Sequence, residues 1–433
     1  MTTTGRSSNP STNTAAEVAG EEPTGSTIAT GHEGALGVQL AAYLRRVRGG
    51  EMGVLPALAG LIVLGGLFGV LSPYFLTRIN IANLMTQTAA LMMLAIALTF
   101  VILLAEIDLS AGVTAGVGMA VFILLSVRGQ WAWQPALGVA LVTGVVIGLF
   151  IGYCVARIGI PSFVVTLGLF LGFQGVQLAL LGDGGSFRVQ DPAVIAIMNS
   201  SMPVWAGWAM LALIVLISAA TGLYDRMRRT RVGMPVRPIS MLAIRVAVWA
   251  VGGGLVVLLL SQNRSAGVIP IEGVPIVVPI ALAIVWVGTL MLDRTRFGLH
   301  LYAVGGNPEA ARRAGINVAR VRITAFILCS TLSVVAGLFF ASQTGTVEST
   351  LGSTQVLPGV AAAVVGGVSL FGGRGRLVHP VIGALLIAMI TNGLGLLGQS
   401  AGITFIVQGG VLILAASVDA LSRRRTGASL ARV

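Results

Sequence analysis

From residue 54 to residue 421 the chain alternates between apolar runs and short polar connections, and most runs approach the roughly 20 residues a helix needs to cross a bilayer. The runs fall at 54–71, 87–105, 109–127, 135–155, 161–181, 203–223, 241–260, 275–292, 323–341, 357–371, 378–397 and 403–421. Helices of a soluble core alternate apolar and polar faces, whereas most of these runs are apolar all round. The pattern predicts an all-α polytopic membrane protein with 11–12 transmembrane segments. Segment 357–371 is short and rich in glycine, so it is expected to be broken or re-entrant, with its irregular backbone buried in protein.

The two ends of the chain read differently. Residues 1–41 are rich in Ser, Thr, Gly, Pro and Glu and contain no apolar run that could serve as the core of a signal peptide. They predict a disordered tail ahead of a transmembrane domain at 42–422, with a second tail at 423–433.

Charge then gives an orientation. The sequence is 55% hydrophobic and 10% charged, and all 27 of its basic residues are arginine. When the runs are threaded alternately across a membrane with the N-terminus inside, 22 arginines fall on the cytoplasmic side, and only Arg78, Arg128, Arg188 and Arg264 fall outside. Arg245 lies within a run, close enough to its end to snorkel. The positive-inside rule places both termini in the cytoplasm of a cell-membrane protein. This distribution accounts for the net charge of +12, so nucleic-acid binding is not needed to explain it. A Walker A loop needs a lysine to reach the terminal phosphates, so a chain without lysine holds no ordinary P-loop site. Cys154 and Cys329 lie in apolar runs, and His32, His300 and His379 are scattered, so neither a disulfide nor a metal site is expected.

Against this background the stretch LLAEIDLSAGVTAGVG at 103–118 is unusual, because Glu106 and Asp108 interrupt some forty apolar residues. A carboxylate costs about 2.5–3.5 kcal/mol at the centre of a spanning helix. The runs on either side are only long enough for two crossings, so the pair is expected in a tight turn at the cytoplasmic mouth. There Asp108 or Ser110 would cap the following helix and Glu106 would end the preceding one. A role for these residues in gating or lining the inner mouth is the alternative.

The polar loop 293–322 contains YAVGGNPEAARRAGINVARVR. Asn307 suits an N-cap, Pro308 the first turn, Glu309 the positive end of the dipole, Arg312 and Arg313 the last turn, and Gly315 the stop. A helix of about two turns is marginal alone in water, so its own bundle or another protein must hold it.

The run Glu309, Ala310, Ala311 with Gly315 resembles the EAA loop by which permeases of ABC importers insert a coupling helix into their ATPase subunits. AEIDLSAG (105–112), PSFVVTLG (161–168), YAVGGNPEAARRAGINV (302–318) and VVGGVSLFGGRG (364–375) resemble, in order, the permeases of monosaccharide ABC importers of the ribose, arabinose and xylose type. AEIDLS and an additional span at 241–260 after the arginine-rich loop DRMRRTRVG (225–233) are most similar to the xylose-type members. No Ile-x-Leu-Pro follows Gly315, which departs from the longer EAA pattern.

The resemblance implies an ABC importer permease fold and a transport subunit that is not itself an enzyme. This subunit would bind no cofactor, because ATP and Mg²⁺ belong to the partner ATPase. The expected partners are cytoplasmic ATP-binding subunits, an extracytoplasmic sugar-binding protein, a second permease copy and membrane lipids. For a neutral polyhydroxyl substrate the polar in-span residues Thr166, Gln174, Gln177, Gln343, Asn392 and Gln408 are candidates for the path, although buried amides and hydroxyls also serve as interhelical hydrogen bonds.

GLGLLG at 393–398 fits a dinucleotide-binding spacing but lies in an apolar span with no strand-helix unit around it, so that reading fails. Residues 107–112 and 368–373 form a faint internal repeat, each ahead of an apolar span, as in transporters built from repeated halves. The rival function is an ion-coupled secondary transporter that uses Glu106 and Asp108. An intramembrane protease lacks any supporting constellation of residues.

Overall fold

The computed structural model describes residues 55–234, 236, 238–265 and 267–430. The tail expected at 1–41 lies outside them, as do residues 431–433. Helices α1 (Leu55–Leu71), α2 (Arg78–Ile102), α3 (Ala111–Ile123), α4 (Trp133–Tyr153) and α5 (Ser162–Leu181) are followed by β1 (Ser186–Arg188) and α6 (Pro192–Asn199). After them come α7 (Val204–Arg231), α8 (Ile239–Leu260), α9 (Val277–Arg294), α10 (Arg296–Gly306), α11 (Pro308–Arg313) and α12 (Val318–Thr344). The chain closes with β2 (Thr346–Glu348), α13 (Val356–Val365), α14 (Val378–Leu396) and α15 (Ala401–Leu430).

Among the described residues, 10 helices are long and apolar enough to cross a membrane, counting α3 with the π-helical turn that carries it on to Arg128. Helix α1 and the 10-residue α13 are shorter. At 1.5 Å per residue α13 spans about 15 Å, half of the hydrocarbon core, so segment 357–371 is a half-helix followed by turns.

Several expected boundaries move. Helix α2 begins at Arg78, where the pattern placed a span from 87, because Asn80 is satisfied within the bundle by Asn392. The arginine-rich stretch 225–233 is a helical extension of α7 through Arg231, since Asp225, Arg228, Arg229 and Arg231 are exposed and no breaker occurs before Gly233. Helical backbone likewise continues from 423 to Leu430, where a tail was expected. An antiparallel ribbon, β1 with β2, pairs Phe187 with Val347 and carries the Arg128 guanidinium 5.1 Å above the Phe187 ring. These paired strands are a small exception to the all-α expectation.

Helix α12 is the central post, packed on α2, α3 and α4. Its approach to α4 is possible because Gly144, Gly148 and Gly152 share one face of α4. A Cβ at Gly148 would lie 2.5 Å from Phe326 O and from Ile327 Cα, and one at Gly152 would lie 2.7 Å from Ile323 Cα. In lipid, where helices gain little from hydrophobic burial, such close backbone contact supplies the dispersion energy that holds them together. Helices α7 and α8 pack mainly on each other at the periphery, and Arg245 is exposed on α8.

Gly148→Leu is expected to destabilise the bundle by about 1–3 kcal/mol through overpacking. Gly138→Leu, on the same helix but with open space at its Cβ position, should leave the unfolding midpoint in detergent unchanged.

Candidate functional site

Three chain reversals meet at the end of the bundle that carries α10 and α11, and all three close with the same bonds. Helix α2 ends with Ala105 N–H donating to Ile102 O (2.9 Å) and Glu106 N–H to Val101 O (3.1 Å). Helix α13 ends with Gly367 N–H to Val364 O (2.9 Å) and Val368 N–H to Ala363 O (3.0 Å). Helix α11 ends with Gly315 N–H to Arg312 O and Ile316 N–H to Ala311 O, both 3.0 Å. This is the Schellman pattern, which needs a left-handed residue at the reversal. Gly315 (φ +81°) and Gly367 (φ +110°) adopt it freely, whereas Ala105 (φ +59°) does so against its Cβ. The first two reversals belong to the faint repeat, one residue out of step with its alignment.

The turn at 103–110 is gripped from four sides. Ser162 Oγ accepts from Ile107 N–H (3.3 Å), and Thr166 Oγ1 donates to Ile107 O (3.2 Å), so α5 holds its middle. Arg322, near the start of α12, lies 3.2 Å from Glu106. Cys329, two turns further along α12, donates to Asp108 Oδ2 at 3.5 Å. Gly373 N–H donates to Leu103 O at 2.9 Å, and Gly305 of α10 packs so closely that a Cβ would meet that same oxygen. Tyr302 Oη donates to Gly375 O (2.8 Å) and ties α10 to the other turn.

Ser110 is the N-cap residue of α3 without a side-chain cap bond, and Asp108 holds that residue in place instead of capping the helix directly. Its Oδ1 accepts from Ser110 N–H (2.9 Å) and Ser110 Oγ (2.6 Å). Burial pushes the Asp108 carboxyl above its ordinary pKa, opposed by these hydrogen bonds. Glu106 and Asp108 do not act as a pair, since each has its own partners.

Asn307 caps α11 as expected, its Oδ1 accepting from Glu309 N–H and Ala310 N–H at 3.0 Å each. Ala311 is buried against the bundle, whereas Glu309, Ala310, Arg312, Arg313 and Gly315 are exposed. Glu309 and Arg312 pair on the surface at 2.7 Å. Helix α11 thus both rests on its own bundle and presents an outer edge.

The residues proposed for a path do not form one group. Thr166 belongs to the turn. Gln177 is buried and donates to Val113 O at 3.1 Å, its Oε1 lying over Gly116. Gln174, three residues earlier on α5, and Gln343 of α12 are half-buried. Asn392 exchanges two hydrogen bonds with Asn80 (2.8 and 2.9 Å) at the opposite end of the bundle. Gln408 donates to Thr391 Oγ1 (2.8 Å) and lines a cavity of about 200 Å³ with Thr354, Gln355, Thr391 and Thr404. Arg322, Ser162, Tyr302 and Cys329 carried no local signal in the sequence, because their partners are 55 to 221 residues away.

A helical bundle with broken segments, a uniform set of reversals at one end and an exposed capped helix there defines a polytopic transport permease. The chain belongs to the family described as branched-chain amino acid transport system / permease component, whose profile matches residues 80–241 and 259–416. It is 33% identical over 352 residues to the xylose transport system permease protein XylH of Escherichia coli (strain K12), covering 81% of this chain and 87% of that protein. XylH of Haemophilus influenzae is 32% identical over 357 residues, 81% of this chain and 91% of that protein. The ribose import permease protein RbsC of Escherichia coli (strain K12) is 30% identical over 366 residues, 84% and 92% of the two chains. No solved structure matches the chain.

Asn307→Ala is expected to cost the α11 cap about 1 kcal/mol. Hydrogen exchange at the Glu309 and Ala310 amides should quicken severalfold, with exchange in α12 unchanged.

Proposed function

We propose that the chain is the permease subunit of an ATP-driven importer for xylose or a related monosaccharide. The proposal extends to a working complex with two ATP-binding subunits, an extracytoplasmic sugar-binding protein and a second copy of the permease. ATP and Mg²⁺ would sit in the ATP-binding subunits. The arginine distribution supports an orientation with both termini and the α10–α11 end in the cytoplasm.

The observation that carries this reading is the combination of an exposed edge on α11 with the contacts behind it. Helix α12 starts at Val318, a few residues after Gly315, and through Arg322 and Cys329 it grips the turn at 103–110. A push on Glu309, Ala310 and Gly315 by an ATPase subunit would travel along α12 to that turn. The turn holds the ends of α2 and α3, so the bundle would tilt and open alternately to each side.

The sugar reading rests on the named substrates of the relatives and on the cavity bounded by Thr354, Gln355, Thr391, Thr404 and Gln408. Its polar lining is uncharged, as suits a neutral polyol. Gln174, Gln343 and Asn392 are further candidates along the route. An ion-coupled mechanism gains no support from the carboxylates, because Glu106 is matched by Arg322 and Asp108 is committed to Ser110 and Cys329.

Reconstitution with the ATPase and the sugar-binding protein tests the proposal through Glu309→Ala and Gly315→Pro. Proline cannot adopt φ +81°, and truncation of a docking hot spot is expected to lower sugar-stimulated ATP hydrolysis about tenfold or more. Wild-type assembly and hydrolysis in both variants would refute the coupling assignment. Sugar uptake that persists without the ATPase and collapses with an uncoupler would favour the ion-driven mechanism.

A further inference from the structure

Helix α7 is 28 residues long, and its character changes near one end. From Val204 to Tyr224 it carries no charge and is largely apolar. That stretch is about 31 Å long and matches the hydrocarbon core of a bilayer. Asp225 to Arg231 add about 10 Å, enough to pass through a headgroup layer about 5–8 Å deep on each side. Asp225 pairs with Arg294 at 3.9 Å, which puts this end of α7 beside the start of α10. Arg226 is half-buried and already partnered within the chain. Arg228, Arg229 and Arg231 are exposed, and none of them forms an ion pair among the described residues.

Helix α8 brings a further arginine to the same place. A Cβ at Gly222 would lie 2.2 Å from Leu242 Cδ1, so the two helices touch there and the contact sets the heights of their arginines. Arg229, seven residues beyond Gly222, shares its helix face and stands about 10 Å nearer the end of the bundle. Arg245, three residues beyond Leu242 on the helix that returns into the bilayer, is its neighbour on the α8 surface and lies about 4–5 Å deeper. It too is exposed and makes no ion pair among the described residues. By snorkelling outward it meets the headgroup layer from below, as Arg229 does from above. The positive-inside rule explains the side on which these arginines lie, but not their convergence on one interhelical groove.

Because α7 and α8 pack mainly on each other, lipid covers the outer side of that groove. Leu223, Ile244 and Val248 are exposed beside it and suit acyl chains. The C-terminus of α7 contributes about half a negative charge, a small offset to Arg228, Arg229 and Arg231, so the mouth is strongly cationic. We propose that the mouth of the α7–α8 hairpin binds the phosphate of an anionic phospholipid of the phosphatidylglycerol class. The phosphate sits between Arg229 and Arg245, whose planar forks suit bidentate bonds to its oxygens, and Arg228 and Arg231 add longer-range attraction. A zwitterionic headgroup brings the same phosphate together with an ammonium that these arginines repel. The hairpin has few ties to the rest of the bundle, and the bound lipid fixes its height in the membrane.

The full chain, without an ATPase subunit, can be placed in phosphatidylcholine nanodiscs with a phosphatidylglycerol that carries a diazirine near its headgroup, and the adducts mapped by mass spectrometry. Adducts should concentrate on 221–231 and 239–248, and unlabelled phosphatidylglycerol should displace the probe where phosphatidylethanolamine does not. Arg229→Gln and Arg245→Gln should each weaken labelling about fivefold, the attraction of one arginine to an anionic headgroup. Arg157→Gln, at an exposed arginine after α4, should leave labelling unchanged. All three side chains are exposed, so the variants should keep the wild-type unfolding midpoint in detergent. The displacement arm, and a salt titration that should release the probe by screening, use the wild-type chain. Labelling that is spread over every arginine-bearing loop, or that ignores Arg229→Gln and Arg245→Gln, would reduce the site to diffuse surface attraction and overturn it. Displacement by inorganic phosphate as strong as by phosphatidylglycerol would assign the mouth to a soluble anion, and loss of adducts on adding the ATPase subunit would assign it to that protein. Either result overturns the proposal. None of these readouts depends on ATP hydrolysis or sugar, so their failure is distinct from failure of the transport reading.

Discussion

Backbone that leaves the helix inside a membrane must find its hydrogen bonds in protein, because lipid offers none. That constraint explains why the turns at 103–110 and 366–377 are found together. Each leaves carbonyls and amides unpaired at a helix end, and each supplies what the other lacks, as Gly373 N–H does for Leu103 O. Close contact between backbones requires that no side chain intervene. The glycines of YAVGG and LFGGRG are where this matters, since Gly305 sits against Leu103 O and against Gly373 N. Side chains complete the closure: Ser162 and Thr166 satisfy Ile107, and Asp108 satisfies Ser110.

The same constraint decides what can move. A turn held by hydrogen bonds to α5, α12 and the 366–377 turn cannot shift alone without leaving buried polar groups unpaired, at a cost of about 1–3 kcal/mol per group. The cluster is therefore displaced as a unit or not at all. Helix α12 is the member best placed to displace it, because its first turn follows α11 directly and its middle is locked by glycine contacts to α4. Between Glu309 and α12 stands only the bonded reversal at Gly315, closed by Gly315 N–H to Arg312 O and Ile316 N–H to Ala311 O.

Much of this was legible in the sequence where the signal is local. Asn307, Pro308, Glu309 and Gly315 announce a capped helix because capping chemistry acts within four residues. Asp108 was legible as part of the turn for the same reason, since its partner Ser110 is two residues away. The early start of α2 was not, because Asn80 reads as a polar interruption until Asn392, 312 residues later, is known to meet it. Gln174 and Gln177 look alike in FQGVQ and lie on neighbouring positions of α5, yet only Gln177 is fully buried, because it meets Val113 O and Gly116 of α3. The β1–β2 ribbon was invisible because its short strands are separated by more than 150 residues.

The partners of Glu106 show what sequence alone leaves open. A carboxylate within apolar residues can be an ion site, a proton carrier or half of an ion pair, and composition does not choose among them. Arg322 does, since a guanidinium at 3.2 Å neutralises Glu106. Its place at the start of α12 links that neutralisation to α11. A half-buried ion pair gains more from attraction than an exposed one but loses more when broken, because each charge is left poorly solvated. Separating α12 from the turn therefore carries an electrostatic penalty, and this penalty favours concerted motion of the two. In this fold the charge that looked suited to an ion site is one half of an ion pair that ties the 103–110 turn to α12.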